Sequence, residues 1–182
     1  MTQHLNKRMI GFFWGAFEAT FFFFVPDIWL SYVVIENPKE AFVNIIFATL
    51  GALLGGAIMY SLSSVYTQQI LHFLEYIPAV SPPMIEHSGE QVARLGIWQA
   101  LMYGITTGIP YKLYATWSGI LGQSFSTFLL ASAIIRSVRF IITTTLMLIT
   151  CKLLQSTIGR GLYLLHATIW LSVYCLYFYH FI

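Results

Sequence analysis

The chain predicts an all-α integral membrane protein: two re-entrant helical hairpins, each followed by a transmembrane helix and related as an inverted repeat, with a C-terminal transmembrane helix completing a single membrane domain. Three observations carry this. Of 182 residues, 58% are hydrophobic, 17% aromatic and only 9% charged, and the mean hydropathy of +0.74 lies above what a water-facing surface of mixed charges allows. Three windows contain no Asp, Glu, Lys or Arg over the roughly 20 residues that a spanning helix needs. Two further apolar windows are interrupted by a proline with an ionisable residue close by.

In chain order, the first interrupted stretch is 9–35, which carries Glu18, Pro26 and Asp27. Lys7 and Arg8 precede it as in a secretory signal, but Glu18 falls inside the apolar run and no small-x-small cleavage site precedes Pro26, so the N-terminus is expected to be retained. Segment 41–74 is free of charge and turns polar after Ser61. Segment 65–94, with "IPAVSPPMIE", is too polar and proline-rich to span. Its first part fits an interfacial helix with Ile70, Leu71, Phe73 and Leu74 toward the lipid, and Pro78, Pro82 and Pro83 make the rest a loop, so the whole reads as a connector. The second interrupted stretch, 95–119, carries Pro110 and Lys112; 113–135 is uncharged, and the helix continues apolar from Phe140 to Cys151. Segment 161–182 is aromatic at both ends, as interfacial belts are, and is expected to pack and anchor, with His166 and His180 at the interface. These limits give repeat one over 9–64, a connector over 65–94, repeat two over 95–150 and a final helix over 161–182.

Proline removes a backbone donor and disfavours helix in the preceding residue, so Val25-Pro26-Asp27 and Ile109-Pro110-Tyr111-Lys112 predict helix breaks at membrane depth. Such backbone is tolerated only inside protein or along a wet cavity, so both breaks point inward. Gly11, Gly15 and Ala19 precede the first break at four-residue spacing; Gly96, Ala100, Gly104 and Gly108 precede the second. Each set makes a smooth face for close helix packing, and Gly51 and Gly55 follow on the next helix of the first half. A broken helix followed by a spanning helix, twice, is the arrangement from which many transporters build a site at the midplane.

The charges follow the same division. Glu18 and Asp27 belong to the first half; Lys112, Arg136 and Arg139 belong to the second. A charge at the centre of a spanning helix costs roughly 2.5 to 3.5 kcal/mol, so all five need partners or water. Arg136 and Arg139 share one helix face and can address one cavity or one phosphate; the competing reading has them snorkel to lipid headgroups at the membrane surface. For Lys112 the competing reading is a cap on freed carbonyls, and for Glu18 a structural salt bridge to an arginine. The cysteines, Cys151 and Cys175, read as apolar packing residues, and with five scattered histidines no metal site is assigned.

With the N-terminus cytoplasmic, Lys7, Arg8, Lys152 and Arg160 lie inside if an even number of crossings separates them. Two re-entrant hairpins give three crossings, an outward-facing connector with Glu75, Glu86, Glu90 and Arg94, and Lys39 inside; two full spans in their place give five crossings and a cytoplasmic connector. The positive-inside count favours the hairpins.

"FFWGAFEATFFFFVPDIWL" resembles the first signature of the DedA superfamily, also called the VTT or SNARE-associated family, in which an embedded Glu is followed by a proline break and an acidic residue. "GIPYKLYATWSGILGQSFSTFLLASAIIRSVRF" resembles its second, and the form "PYK...SG..G....FLLAS.I.R..RF" is closest to the short bacterial subgroup. The resemblance covers 11–140. Two departures mark it. The main branch has Gly-Arg-Phe-x-Pro-x-x-Arg at the second break; here "TTGIP" replaces the first arginine and Lys112 stands near the second. The arginine pair, Arg136 and Arg139, lies further along the following helix.

The resemblance implies a multi-pass protein of the cell membrane (the inner membrane in a bacterium) that acts as a proton-motive-force-dependent flippase or scramblase. Its cargo would be the headgroups of phospholipids or polyprenyl phosphates, and its mobile ion the proton. The residues agree in kind: Lys112, Arg136 and Arg139 suit a phosphate, because arginine offers a planar fork of donors, and Glu18 and Asp27 suit proton carriage. No cofactor and no nucleic-acid partner is expected, and a homo-oligomer stays open. The alternative is a non-transporting assembly or structural protein whose buried ion pairs only hold the hairpins together. An enzyme has no support, since no nucleophile stands with a base at recognisable spacing.

Overall fold

A computed structural model describes residues 2–78 and 80–181, with the side chains of 2–4, 155, 180 and 181 excepted; the expectation for the His180 side chain lies outside these. The described residues form eight helices: α1 (Thr2–Glu18), α2 (Asp27–Glu36), α3 (Pro38–Val65), α4 (Thr67–Glu75), α5 (Pro82–Thr107), α6 (Tyr111–Ile120), α7 (Phe125–Ile158) and α8 (Gly161–Phe181). Three stretches, Pro38–Val65, Phe125–Leu154 and Gly161–Tyr179, are long and apolar enough to cross a membrane. They turn large apolar side chains outward, among them Ile46, Leu130, Leu146, Leu164 and Leu176, the surface that a bilayer rather than water covers.

The order helix, short helix, long helix occurs twice, as α1-α2-α3 and α5-α6-α7. In the first set, "ENPKE" makes the corner between α2 and α3. Asn37 sits in extended backbone and closes α2, its side chain accepts from the Glu40 amide at 3.2 Å, and Pro38 fills a first-turn position where no amide donor is needed. Lys7 at the start of α1 bonds Glu36 at the end of α2, and Arg8 donates to Glu40 at 2.7 Å. The beginning of α1 and the end of α2 therefore lie together beside the start of α3.

The predicted small face of α1 is the seam on which α3 packs. A methyl group at Gly15 would lie 2.2 Å from the Ala48 carbonyl oxygen, and one at Gly51 would lie 1.8 Å from that of Phe12, so the two backbones touch where only hydrogen fits. Gly55 meets Ala16 and Ala19 at the end of α1, while its neighbour Gly56 meets the Tyr111 ring and hydroxyl at the start of α6. Both breaks thus arrive at one point on α3.

The second set departs from expectation. Helix α5 begins at Pro82, so Pro82 and Pro83 start a helix instead of extending a loop, as first-turn prolines can. Gly96 (φ 73°) bends α5 sharply and Gly108 (φ 74°) ends it in the left-handed region. Of the stripe Gly96, Ala100, Gly104 and Gly108, the first and last serve backbone conformation, and Gly104 packs against Tyr114 of α6 rather than against a long helix. The small-residue repeat is therefore not equivalent in the two halves. Trp117 of α6 donates to the Ile85 carbonyl at 2.7 Å, Ser63 of α3 donates to that of Thr116 at 2.9 Å, and Tyr60 donates to that of Gln123. The end of α6 and the early part of α5 accordingly sit beside the end of α3.

Helix α4 forms as an amphipathic helix, but with its apolar side inward: Leu74 is buried and Ile70 and Leu71 pack on the core, leaving Phe73 outward. His166 corrects another expectation. It is buried between α8 and α2, with Nε2 2.9 Å from Ser31 Oγ, which also accepts from Trp170 Nε1 at 3.0 Å. Cys151 is buried, Cys175 exposed, and both are free.

Candidate functional site

Helix α1 stops at Glu18, eight residues before Pro26, so the first break is longer than proline alone predicts. The run "ATFFFFV" unwinds, and several of its polar groups find partners, as a dehydrated environment demands. Thr20 Oγ1 donates to the Ala16 and Phe17 carbonyls, and the Phe21 and Phe22 amides both donate to Phe17 O. Trp14 Nε1 donates to Phe24 O at 2.8 Å, Lys112 Nζ donates to Phe22 O at 3.0 Å, and the Val25 amide donates to Tyr174 Oη at 2.9 Å. Two of these partners come from α6 and α8.

The structure brings all five predicted ionisable residues to the meeting point of the breaks, pairing each acid of the first half with a base of the second. Arg136 donates to Glu18 at 2.5 Å; these side chains are 5% and 3% exposed. The Arg136 guanidinium also stacks between two rings, 4.6 Å from the centroid of Tyr111 and 4.9 Å from that of Phe140. Arg139 lies 3.2 Å from Asp27, whose other oxygen accepts from Thr143 Oγ1 at 2.7 Å. Asp27 is buried, but the Arg139 side chain is 30% exposed. Lys112 is 1% exposed, and it meets a carbonyl, not a carboxylate.

The two arginines are therefore unequal. Arg136 is immobilised by an ion pair and two aromatic faces. Arg139 reaches a cavity of about 180 Å³. Glu18 and Lys112 also line it, with Phe23 and Val25 from the first break and Ile109 and Pro110 from the second. A pocket of about 20 Å³ separates Arg136, Arg139 and Tyr111, room for one water. Arg136 Nε and the Tyr111 hydroxyl are buried without a hydrogen-bond partner among the described residues. A wider cavity of about 680 Å³, lined by Glu86, His87 and Glu90, shares Ile109 with the 180 Å³ cavity as a lining residue.

Sequence reasoning missed five contributors. Trp170, Tyr174 and Tyr177 of α8 line the 180 Å³ cavity, although α8 reads as an anchor. Thr143 was legible, since Arg136, Arg139 and Thr143 follow helical spacing on one face. Tyr111 stands next to Lys112, and its role shows only once Gly56 of α3 admits its ring.

An uncharacterized protein of Haemophilus influenzae (strain ATCC 51907 / DSM 11121 / KW20 / Rd) is similar to this chain. The two are 23% identical over 147 residues, which cover 78% of this chain and 74% of the relative. No family model matches the chain. No solved structure matches it.

Proposed function

We propose that the protein is a membrane transporter of the DedA type, not an enzyme, which moves lipid phosphate headgroups between leaflets with a proton as counter-ion. The observation that carries this reading is the cavity where two helix breaks meet, presenting Lys112 with no carboxylate in salt-bridge contact among the described residues and Arg139 only loosely held. A phosphate entering there takes the Lys112 ammonium and draws Arg139 from Asp27. The carboxylate left behind is buried, and a proton neutralises it. Phosphate and proton would then occupy the cavity together.

The packing supports two re-entrant hairpins of opposite sense. Helices α1 and α2 begin and end beside the start of α3, tied by Lys7 to Glu36 and Arg8 to Glu40. Helices α5 and α6 begin and end toward the other end of α3, tied by Trp117, Ser63 and Tyr60. Lys7, Arg8 and Lys39 fall at the first end with Lys152 in the last turns of α7 and Arg160 of the α7–α8 turn, whereas Glu75, Glu86, Glu90 and Arg94, a net acidic set, fall at the second; the positive-inside rule then makes the first end cytoplasmic. The substrate class follows from the basic groups: phospholipid or polyprenyl phosphate.

The second reading, a structural protein held by ion pairs, draws on the immobile Glu18–Arg136 pair. Exchange of the looser pair separates the two readings. Purified protein carrying Asp27→Arg with Arg139→Asp is reconstituted into vesicles with a fluorescent phospholipid, and exposure of the label at the outer leaflet is followed by quenching. A transporter loses at least tenfold in rate although the ion pair is restored; wild-type rates in this variant, or in Lys112→Ala, would refute transport through this cavity.

A further inference from the structure

We infer that Tyr174 of α8 is a third anion-binding residue, which completes with Lys112 and Arg139 a three-donor site for a single phosphate oxyanion. The inference rests on the reading of the cavity as a phosphate site and adds a residue that the charge pattern does not reveal. Tyr174 projects into the cavity that Lys112 and Arg139 line. Its oxygen accepts from the Val25 amide at 2.9 Å, which fixes the hydroxyl at the first break. Among the described residues that hydroxyl donates to none, so its own proton stays available in a place walled by Phe23, Val25, Ile109 and Trp170. Tyr177, one turn on, differs: it donates to the Gly108 carbonyl at 3.4 Å.

The ring is held as firmly as the oxygen. Phe23 and Phe24 pack on it with centroids 5.3 and 4.9 Å away, and Trp170 lies one turn before it at 6.2 Å. A donor preset in this way loses little freedom when an anion arrives. Hydrogen bonds to an ionised acceptor are also roughly twice as strong as those between neutral groups. The ammonium, the guanidinium and the phenol then approach one oxyanion from α6, α7 and α8, three elements that no single half of the molecule supplies.

The test is calorimetric titration of the full chain in detergent with dihexanoyl phosphatidic acid, and separately with inorganic phosphate. Tyr174→Phe, which keeps the ring, is expected to weaken lipid binding about tenfold, the loss of one charge-assisted hydrogen bond. Tyr174→His, able to accept from Val25 and donate with its other nitrogen, is expected to bind within threefold of wild type and keeps the test open should the Phe variant misfold. Tyr179→Phe, on the exposed side of α8, should bind normally. Wild-type affinity in Tyr174→Phe, with binding lost in Lys112→Ala and Arg139→Ala, overturns the role of Tyr174 alone; wild-type affinity in all three overturns the phosphate site itself. If both Tyr174 variants fold and bind equally weakly, the residue is structural and the inference fails. Inorganic phosphate binding as tightly as the lipid would keep the three-donor site and make free phosphate its ligand.

Discussion

The two ion pairs should respond unequally to loss of their arginines, and the difference can be worked from their surroundings. Arg136→Gln leaves Glu18, 3% exposed, with no cation in hydrogen-bond reach among the described residues, and empties the space between the Tyr111 and Phe140 rings. Removing one partner of a buried pair costs about 3–5 kcal/mol, and in a domain of this length each kcal/mol moves the unfolding temperature by about 2–4 °C, so a fall of roughly 10 °C is expected. Arg139→Gln leaves Asp27 with its Thr143 bond and its place in the first turn of α2, where the helix dipole favours an acid. The vacated guanidinium position opens on a cavity that water can fill, and the expected cost is about 1–2 kcal/mol. Tryptophan fluorescence on heating in detergent measures both, and lipid movement in vesicles measures function. The double variant Glu18→Met with Arg136→Met should recover much of the lost stability, since apolar groups of similar volume replace buried pairs at little cost. Equal losses from Arg136→Gln and Arg139→Gln would refute the division of the arginines into a fixed strut and a mobile ligand.

Three further expectations bear on packing and topology. Gly51→Leu should yield no monodisperse protein by size-exclusion chromatography, because its side chain meets the α1 backbone itself, whereas Leu50→Ala on the outward face should leave elution unchanged. Asn37→Ala should lower the unfolding temperature by roughly 3 °C through loss of the α3 cap, worth about 1 kcal/mol. In Cys151→Ser, Cys175→Ser protein, a cysteine placed at Glu86 should react with an impermeant maleimide from outside intact cells and one at Lys39 only after permeabilisation; the reverse pattern would overturn the orientation.

What could be read from the sequence divides by the range of the interaction. Of the three long apolar helices, α3 and α8 were legible because a bilayer demands length and absence of charge, which are local properties; the third was misplaced, since the uncharged window 113–135 straddles the turn between α6 and α7, and α7 is long and apolar enough to span with Arg136 and Arg139 inside it. The ends of α1 and α5 were less so. Proline marked each break, yet α1 ends at Glu18 because Lys112, Trp14 and Tyr174 can hold the freed backbone, partners spread across the chain. Proline also misled at 82–83, where the same missing donor that breaks a helix suits its first turn. The glycine stripes looked alike by spacing, but spacing does not record φ, and Gly96 and Gly108 are needed for conformation rather than for contact. The five charges were legible as a group since their cost in a membrane forces them together. Which acid meets which base was not, because helix register against α3 decides it.

That register has a physical origin in the first half's seam. Gly15 and Gly51 let α1 and α3 touch along their backbones, which fixes how far α1 reaches before Glu18 must turn inward. Gly56, one residue beyond the contact of Gly55 with Ala19, then seats Tyr111, and Tyr111 stacks on the arginine that Glu18 receives. A leucine at Gly55 or Gly56 would displace both the acid and its base. The small residues and the charges are therefore one device: close packing sets the depth at which opposite charges meet. At their meeting point each half alone would carry charge of a single sign, Glu18 and Asp27 in one and Lys112, Arg136 and Arg139 in the other, at roughly 2.5 to 3.5 kcal/mol apiece at membrane depth. Docking the halves relieves that cost and leaves the second half's surplus cation, Lys112, facing the cavity.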